Sequence, residues 1–150
     1  MTTRIVYTDG SCLSNGTRYA KAGVGVYFGD DDPRNLSEKL PEKYKQTNNV
    51  AELTAVIRAL EILNQDTKTP VKICTDSIYV QKGITQWINN WKKNNWKTTK
   101  GSDVENKELW MQLDLLKSDF DSIEFVYVTA HKGVKGNEKA DELASSGALL

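Results

Sequence analysis

Asp9, Glu52, Asp76 and Asp141 are the residues of this sequence best able to do chemistry together. Asp9 and Asp76 close two short apolar runs of similar form, Ile5-Val6-Tyr7-Thr8-Asp9-Gly10-Ser11 and Val71-Lys72-Ile73-Cys74-Thr75-Asp76-Ser77. Glu52 and Asp141 sit early in stretches with helical periodicity. Carboxylates from four separate elements, converging on one end of a sheet, make a cage for hard divalent cations. Magnesium held by a few carboxylates and completed by water and substrate phosphate is the usual setting for phosphodiester chemistry.

Each acid also has a local explanation. Asp9-Gly10 is a strong hairpin-turn signal, and Asp76-Ser77 suits the cap of a following helix. Glu52, three residues after Asn49, makes a loose capping box, and Asp141 stands beside an apolar stripe as a solvated helical residue would. Those four explanations leave the repeated Thr-Asp strand endings as a coincidence. A site beyond the carboxyl ends of parallel strands explains both endings at once.

His131, the sole histidine, follows Val126-Tyr127-Val128-Thr129 and opens a glycine-punctuated loop, Gly133-Val134-Lys135-Gly136. That placement suits a proton donor or acceptor near an active site. The stretch from Trp87 to Lys100 interleaves three tryptophans with lysines. Trp87 and Trp91 are one helical turn apart and share a face. Core tryptophans beside a solvated loop would account for this composition. So would a basic arm whose rings pack on sugars while ammonium groups meet phosphates. Ser14-Asn15-Gly16 and Thr47-Asn48-Asn49 are turn and helix-start residues by type, and equally suited to reading a sugar hydroxyl or a minor-groove base edge.

The elements that must position these groups follow from periodicity. Residues 4–9, 23–29 and a more polar segment reaching about Tyr44 read as three strands of an antiparallel meander. Leu53, Val56, Ile57, Leu60 and Leu63 fall on one face of a helix over 48–64. A strand over 71–75 precedes two short helices broken at Gly83, then the polar loop 92–101. A helix carrying Leu109, Trp110, Leu113 and Leu116 leads to a strand over 123–129. A C-terminal helix turns Ala140, Leu143 and Ala144 inward. The order βββαβαααβα implies an α/β fold, a mixed five-stranded sheet of antiparallel meander plus parallel strands, with helices packed on its faces.

At 150 residues the chain is the size of one domain, and a single domain over 1–150 is expected. Lys plus Arg and Asp plus Glu both number 20, so net charge decides nothing about a polyanionic partner and the distribution of charge must. Cys12 and Cys74 are the only cysteines, which makes no disulfide framework and points to a reducing, intracellular compartment. That means nucleus or mitochondrion for a eukaryotic source and cytoplasm otherwise. The N-terminus shows no signal or transit segment, and no apolar run approaches the ~20 residues of a membrane span.

Together these motifs resemble the type 1 ribonuclease H family, most nearly the catalytic domain of its cellular eukaryotic members. The resemblance runs from Val6 to about Ala148. It rests on Tyr7-Thr8-Asp9-Gly10-Ser11, Gln46-Thr47-Asn48-Asn49 through Ala51-Glu52, Thr75-Asp76-Ser77, and Gly83-Ile84-Thr85-Gln86-Trp87. It continues through Trp91-Lys92-Lys93-Asn94, Trp96-Lys97-Thr98, His131, Gly136-Asn137-Glu138 and Ala140-Asp141. It implies a ribonuclease H-like fold and hydrolysis of the RNA strand of RNA–DNA hybrids, leaving 3′-hydroxyl and 5′-phosphate ends. Two Mg²⁺ ions would be held by Asp9, Glu52, Asp76 and Asp141, with Mn²⁺ a possible substitute and His131 in the catalytic set.

Substrate contacts are implied as well. Asn15, Gln46, Asn48 and Asn49 would lie along the minor groove, and Cys12 and Ser14 near the RNA backbone. Trp87 and Trp91 would form a channel for the DNA strand, and Lys92, Lys93 and Thr99 would contact the substrate. Lys45, Thr47 and Asn106 would form a pocket for a DNA phosphate. The pattern departs at Lys45, where arginine is usual and a bidentate contact is lost, and at Ala130 and Lys132 around His131. A monomer that binds hybrid and no membrane is expected. The alternatives are another metal nuclease on the same sheet, or a hybrid-binding module that does not cleave.

Overall fold

A computed structural model describes residues 2–130 and 132–150. Strands β1 (Arg4–Leu13), β2 (Lys21–Tyr27) and β3 (Leu36–Lys39) form the meander. Helix α1 (Asn48–Leu63), strand β4 (Val71–Thr75) and helix α2 (Ile78–Lys82) follow. A π-helical turn (Gly83–Trp87), α3 (Ile88–Lys93), α4 (Lys107–Ser118), β5 (Ile123–Tyr127) and α5 (Lys135–Ala148) complete the chain. The sheet order is β3-β2-β1-β4-β5, with β1 antiparallel to β2 and parallel to β4, and β4 parallel to β5. This is the mixed five-stranded sheet that the element order implies. Among the described residues no helix is long and apolar enough to cross a membrane.

Two glycine positions set how closely the helices approach. A Cβ on Gly10 would lie 2.4 Å from the Glu52 backbone nitrogen, so α1 rests directly on one face of β1. A Cβ on Gly25 would lie 2.3 Å from the Ala140 carbonyl oxygen, so α5 rests directly on β2. Gly10 is paired with Val24, and Gly25 with Asp9. Side chains alternate along a strand, so these two pairs point to opposite faces and the helices cover both. Residues 50–57 of α1 are buried all round, because the helix is enclosed between the sheet and α4. Leu40, Leu53, Leu60, Ile73, Ile88, Leu113 and Trp110 are among the large, fully buried side chains of the core. Each aliphatic one contributes about 1.5–3 kcal/mol of transfer free energy.

Three elements differ from their sequence patterns. Strand β1 does not stop at Asp9-Gly10: β2 pairs with it as far as Leu13, and Asp-Gly makes no turn. Strand β3 ends at Lys39, short of Tyr44. Gly83 does not break a helix. Lys82 through Ile88 keep helical dihedrals, and Ile88 N–H bonds back to the Gly83 carbonyl, widening one turn of a continuous rod. The glycine is there for packing, since a Cβ would lie 2.0 Å from the Trp110 ring.

Candidate active site

Strands β1 and β4 run parallel in register to Thr8 and Thr75, both buried. Beyond that pair β4 ends while β1 continues beside β2. Asp9 and Asp76 therefore emerge side by side at the carboxyl end of the parallel pair, where sites form in such sheets. Glu52 arrives from the second turn of α1, which Gly10 admits to close contact. Carboxylate oxygens of Asp9, Glu52 and Asp76 all lie within 4.8 Å of one another. Asp9 is 4% and Glu52 7% exposed.

Asp141, half-buried on α5, lies outside that tight triad. It lines the same open cavity of about 300 Å³, together with Asp9, Glu52 and Asp76, and its side chain is in hydrogen-bond contact with Asp9. The four acids are thus brought together as three plus one. His131 lies outside the described residues.

Local structure shows why none of the acids is a cap. Thr47 caps α1 by accepting from Val50 N–H, which removes Glu52 from any capping box. Ser77, not Asp76, caps α2 by accepting from Val80 N–H at 3.1 Å. The Gly10 amide donates to Glu52 Oε1, and the Ser77 side chain also bonds Glu52. These fixed dipoles orient Glu52 without adding a cation to the site.

The electrostatics are those of a site built for positive charge. Burial is the largest cause raising Asp9 above its ordinary value, followed by its hydrogen bond to Glu52 and repulsion from Glu52 and Asp76. Burial likewise raises Glu52, from 4.5 to about 7. Without cations the pair therefore holds a proton at neutral pH. The folded state then binds more protons at this pair than the unfolded chain does, so the pair's contribution to stability is greatest in acid and falls as pH rises from about 4.5 through 7. Excess divalent cation reverses the slope by binding the ionised form. Melting temperatures at pH 5 and pH 8, with and without Mg²⁺, check this. A melting temperature that rises with pH in chelator contradicts it.

Carboxylate oxygen is the ligand type of hard divalent cations, and three converging carboxylates fit one. Beside them, Asn48 and Asn49 are shared with a groove of about 770 Å³ that also takes in Asn15, Thr47, Gln46 and Lys45. Lys45 is shared in turn with a cavity of about 450 Å³ bordered by Lys43, Asn106 and Lys107. A continuous track therefore runs from the acids to a cavity where Lys43, Lys45 and Lys107 stand with Asp103 and Glu108. Asn15 Oδ1 accepts from the Asn48 amide at 3.2 Å and ties the β1–β2 loop to α1.

Not every predicted contact residue has a free side chain. Gln46 is spent on the backbone: Oε1 accepts from Ala22 N–H at 2.9 Å, and Nε2 donates to the Pro41 and Tyr44 carbonyls at 3.0 and 3.1 Å. The Asn106 amide donates to the Tyr79 hydroxyl at 3.1 Å. Cys12 is half-buried, with Sγ 3.5 Å from the Gln46 carbonyl oxygen, and burial pushes its thiol up. Ser14 is exposed in the left-handed region at φ 55°.

Trp87 and Trp91 are both partly core and partly surface. Their ring centroids are 5.9 Å apart, and Trp91 meets buried Trp110 edge-on at 5.3 Å. Lys92 pairs with Asp114 at 3.2 Å, while Lys93 and Thr99 are exposed. Sequence reasoning did not single out the Gly10 amide, Ser77 as a partner of Glu52, or Asn137, whose Nδ2 donates to Asp76 Oδ2 at 3.3 Å. Asn137 was visible only within the stretch Gly136-Asn137-Glu138.

Many known proteins are similar to this chain. A Mus musculus protein named Ribonuclease H1 is 44% identical over 144 residues, covering 96% of this chain and 50% of its own length. An Actinobacillus pleuropneumoniae Ribonuclease H is 46% identical over 145 residues, covering 95% of this chain and 88% of its own. The foamy viral protease–reverse transcriptase, solved in complex with RNA/DNA hybrid, superposes with a TM-score of 0.78 at 26% identity, over 96% of this chain and 20% of the viral one. This chain spans about half the length of the first mammalian relatives it matches. The sequence profile of RNase H matches residues 1–149, and with identities at this level over nearly its whole length the chain belongs to the type 1 ribonuclease H family.

Proposed function

We propose that the chain is an endoribonuclease that hydrolyses the RNA strand of RNA–DNA hybrids, leaving 3′-hydroxyl and 5′-phosphate ends. The observation that carries the reading is the triad of buried Asp9 and Glu52 with half-buried Asp76, at the mouth of a groove that leads toward Lys45, Lys43 and Lys107. Its relatives named Ribonuclease H and a structural neighbour solved with RNA/DNA hybrid support the substrate class.

Mg²⁺ ions bound here in a pair would activate the attacking water and stabilise the leaving 3′-oxygen. Asp9 and Asp76 would hold such ions at the centre of the site, with Glu52 and Asp141 contributing from either side. Glu52, oriented by Gly10 and Ser77, also accepts from a ribose 2′-hydroxyl, which ties cleavage to RNA. Asn15, Asn48 and Asn49 line the groove as amides able to meet sugar and base edges. Lys45 supplies a point charge to a phosphate. Trp87 and Trp91 offer half-exposed ring surface beside exposed lysine for the other strand. His131 assists departure of the product. The chain acts as one domain and as a monomer.

The test uses an end-labelled RNA–DNA hybrid with RNA-duplex and DNA-duplex controls, in Mg²⁺, in Mn²⁺ and in chelator. Cleavage of only the RNA strand, only in hybrid and only with metal, is the expected result. Cutting of duplex DNA would assign the chain to another nuclease class on this sheet. Tight binding without cleavage in either metal would remove the enzyme.

A further inference from the structure

We propose that Asn137 is a positioning residue for the carboxylate of Asp76, an inference that rests on the nuclease reading above. Asn137 lies in the first turn of α5, four residues before Asp141, so the two side chains project from one face of the helix. It is 2% exposed. Nδ2 donates to Asp76 Oδ2 at 3.3 Å, while Oδ1 is buried and has no hydrogen-bond partner among the described residues.

An amide held in that state loses the solvation of one oxygen, which an aliphatic side chain of the same size would not. What the amide gives in return is directed at Asp76. The carboxylate only accepts, so the N–H side of the amide faces it.

The neighbourhood is built to hold that donor still. A Cβ on Gly136 would lie 2.1 Å from the Tyr7 ring, so the first turn of α5 sits flush on β1. The donor therefore belongs to a rigid helix and the acceptor to the end of a strand, an arrangement that fixes geometry better than two loops would. The chemistry of the donor also suits the task. A lysine or arginine here would neutralise Asp76 and compete with a divalent cation. A neutral amide fixes the rotamer of the carboxylate and leaves its full charge for the metal. Partners of this kind behind a ligand typically govern metal affinity by ~10–100-fold.

The experiment measures Mn²⁺ affinity of the substrate-free protein by electron paramagnetic resonance, for the wild type, Asn137→Ala and Asn137→Leu. The leucine variant keeps the branched shape of the side chain without its polar atoms and serves if the alanine variant does not fold. Mn²⁺ binding should weaken ~10–100-fold in the folded variants. With hybrid, the Mg²⁺ concentration for half-maximal rate should rise by a similar factor while the KM for hybrid stays unchanged. Saturating Mg²⁺ should restore kcat for Asn137→Ala and not for Asp76→Asn, a rescue that simple loss of packing would not give. Unchanged Mn²⁺ affinity in a folded variant overturns the role of Asn137 alone. A wild-type protein that binds no Mn²⁺ overturns the metal-site reading and the proposal with it.

Discussion

Asp76→Asn will lower kcat on an RNA–DNA hybrid by about a thousandfold or more, the scale on which sites lose rate when one preorganised electrostatic group is removed. The substitution keeps the shape of the side chain and removes one unit of negative charge from a cluster whose oxygens lie within 4.8 Å of one another. Affinity for the hybrid should change little, because the groove around Asn15, Asn48 and Lys45 is untouched. Stability in chelator should move the opposite way. Repulsion from Asp76 raises both Asp9 and Glu52, so the neutral variant should melt at a higher temperature than the wild type at neutral pH. A site assembled from mutually repelling groups costs the fold stability, which its ligand returns on binding. Gel-shift affinity, single-turnover rates and thermal melts in chelator check the three parts. A folded variant that has lost hybrid binding would contradict the assignment of Asp76 as a metal ligand rather than a groove contact.

Trp110→Ala will be the most destabilising single change outside the sheet, costing about 3–5 kcal/mol. Trp110 is fully buried and sits beneath the whole arm. Its ring meets Tyr79 at 5.4 Å and Trp91 at 5.3 Å, and it fills the space that Gly83 leaves open. Its Nε1–H donates to the Tyr79 hydroxyl at 3.2 Å, the same oxygen that receives the Asn106 amide. Beyond α3, Asn95 and Trp96 both take left-handed dihedrals, which turn the chain back so that Trp96 reaches Trp91. Removing the central ring leaves a cavity under this stack. Hybrid affinity should therefore fall in whatever fraction remains folded, while the acid triad keeps its own geometry. Urea unfolding and hybrid binding, measured on one preparation, check both parts. A loss below about 1 kcal/mol would show that the arm does not depend on this floor.

What the sequence made legible was what local pattern controls. Thr8-Asp9 and Thr75-Asp76 read as equivalent strand endings because β1 and β4 are in parallel register there, and the period of Leu53, Val56, Ile57 and Leu60 marked α1 with its glutamate. What stayed hidden depended on distant partners. β1 looked finished at Asp9-Gly10, since that dipeptide favours a turn, yet pairing with β2 carries it to Leu13. Gly83 looked like a helix breaker because its real constraint, the Trp110 ring, comes 27 residues later. The family resemblance set Gln46 along the groove, and only the folded β2–α1 neighbourhood consumes its amide. Asn137 carries no periodicity or spacing of its own, and its meaning arises when α5 meets the end of β4.

The arrangement of three acids plus one has a consequence for the newly made chain. Asp9, Glu52 and Asp76 leave the ribosome before Asp141, which lies on α5, the helix that covers β2 and β1. Vectorial synthesis thus delivers three carboxylates ahead of the fourth, which reaches the shared cavity only with the helix that also covers the sheet.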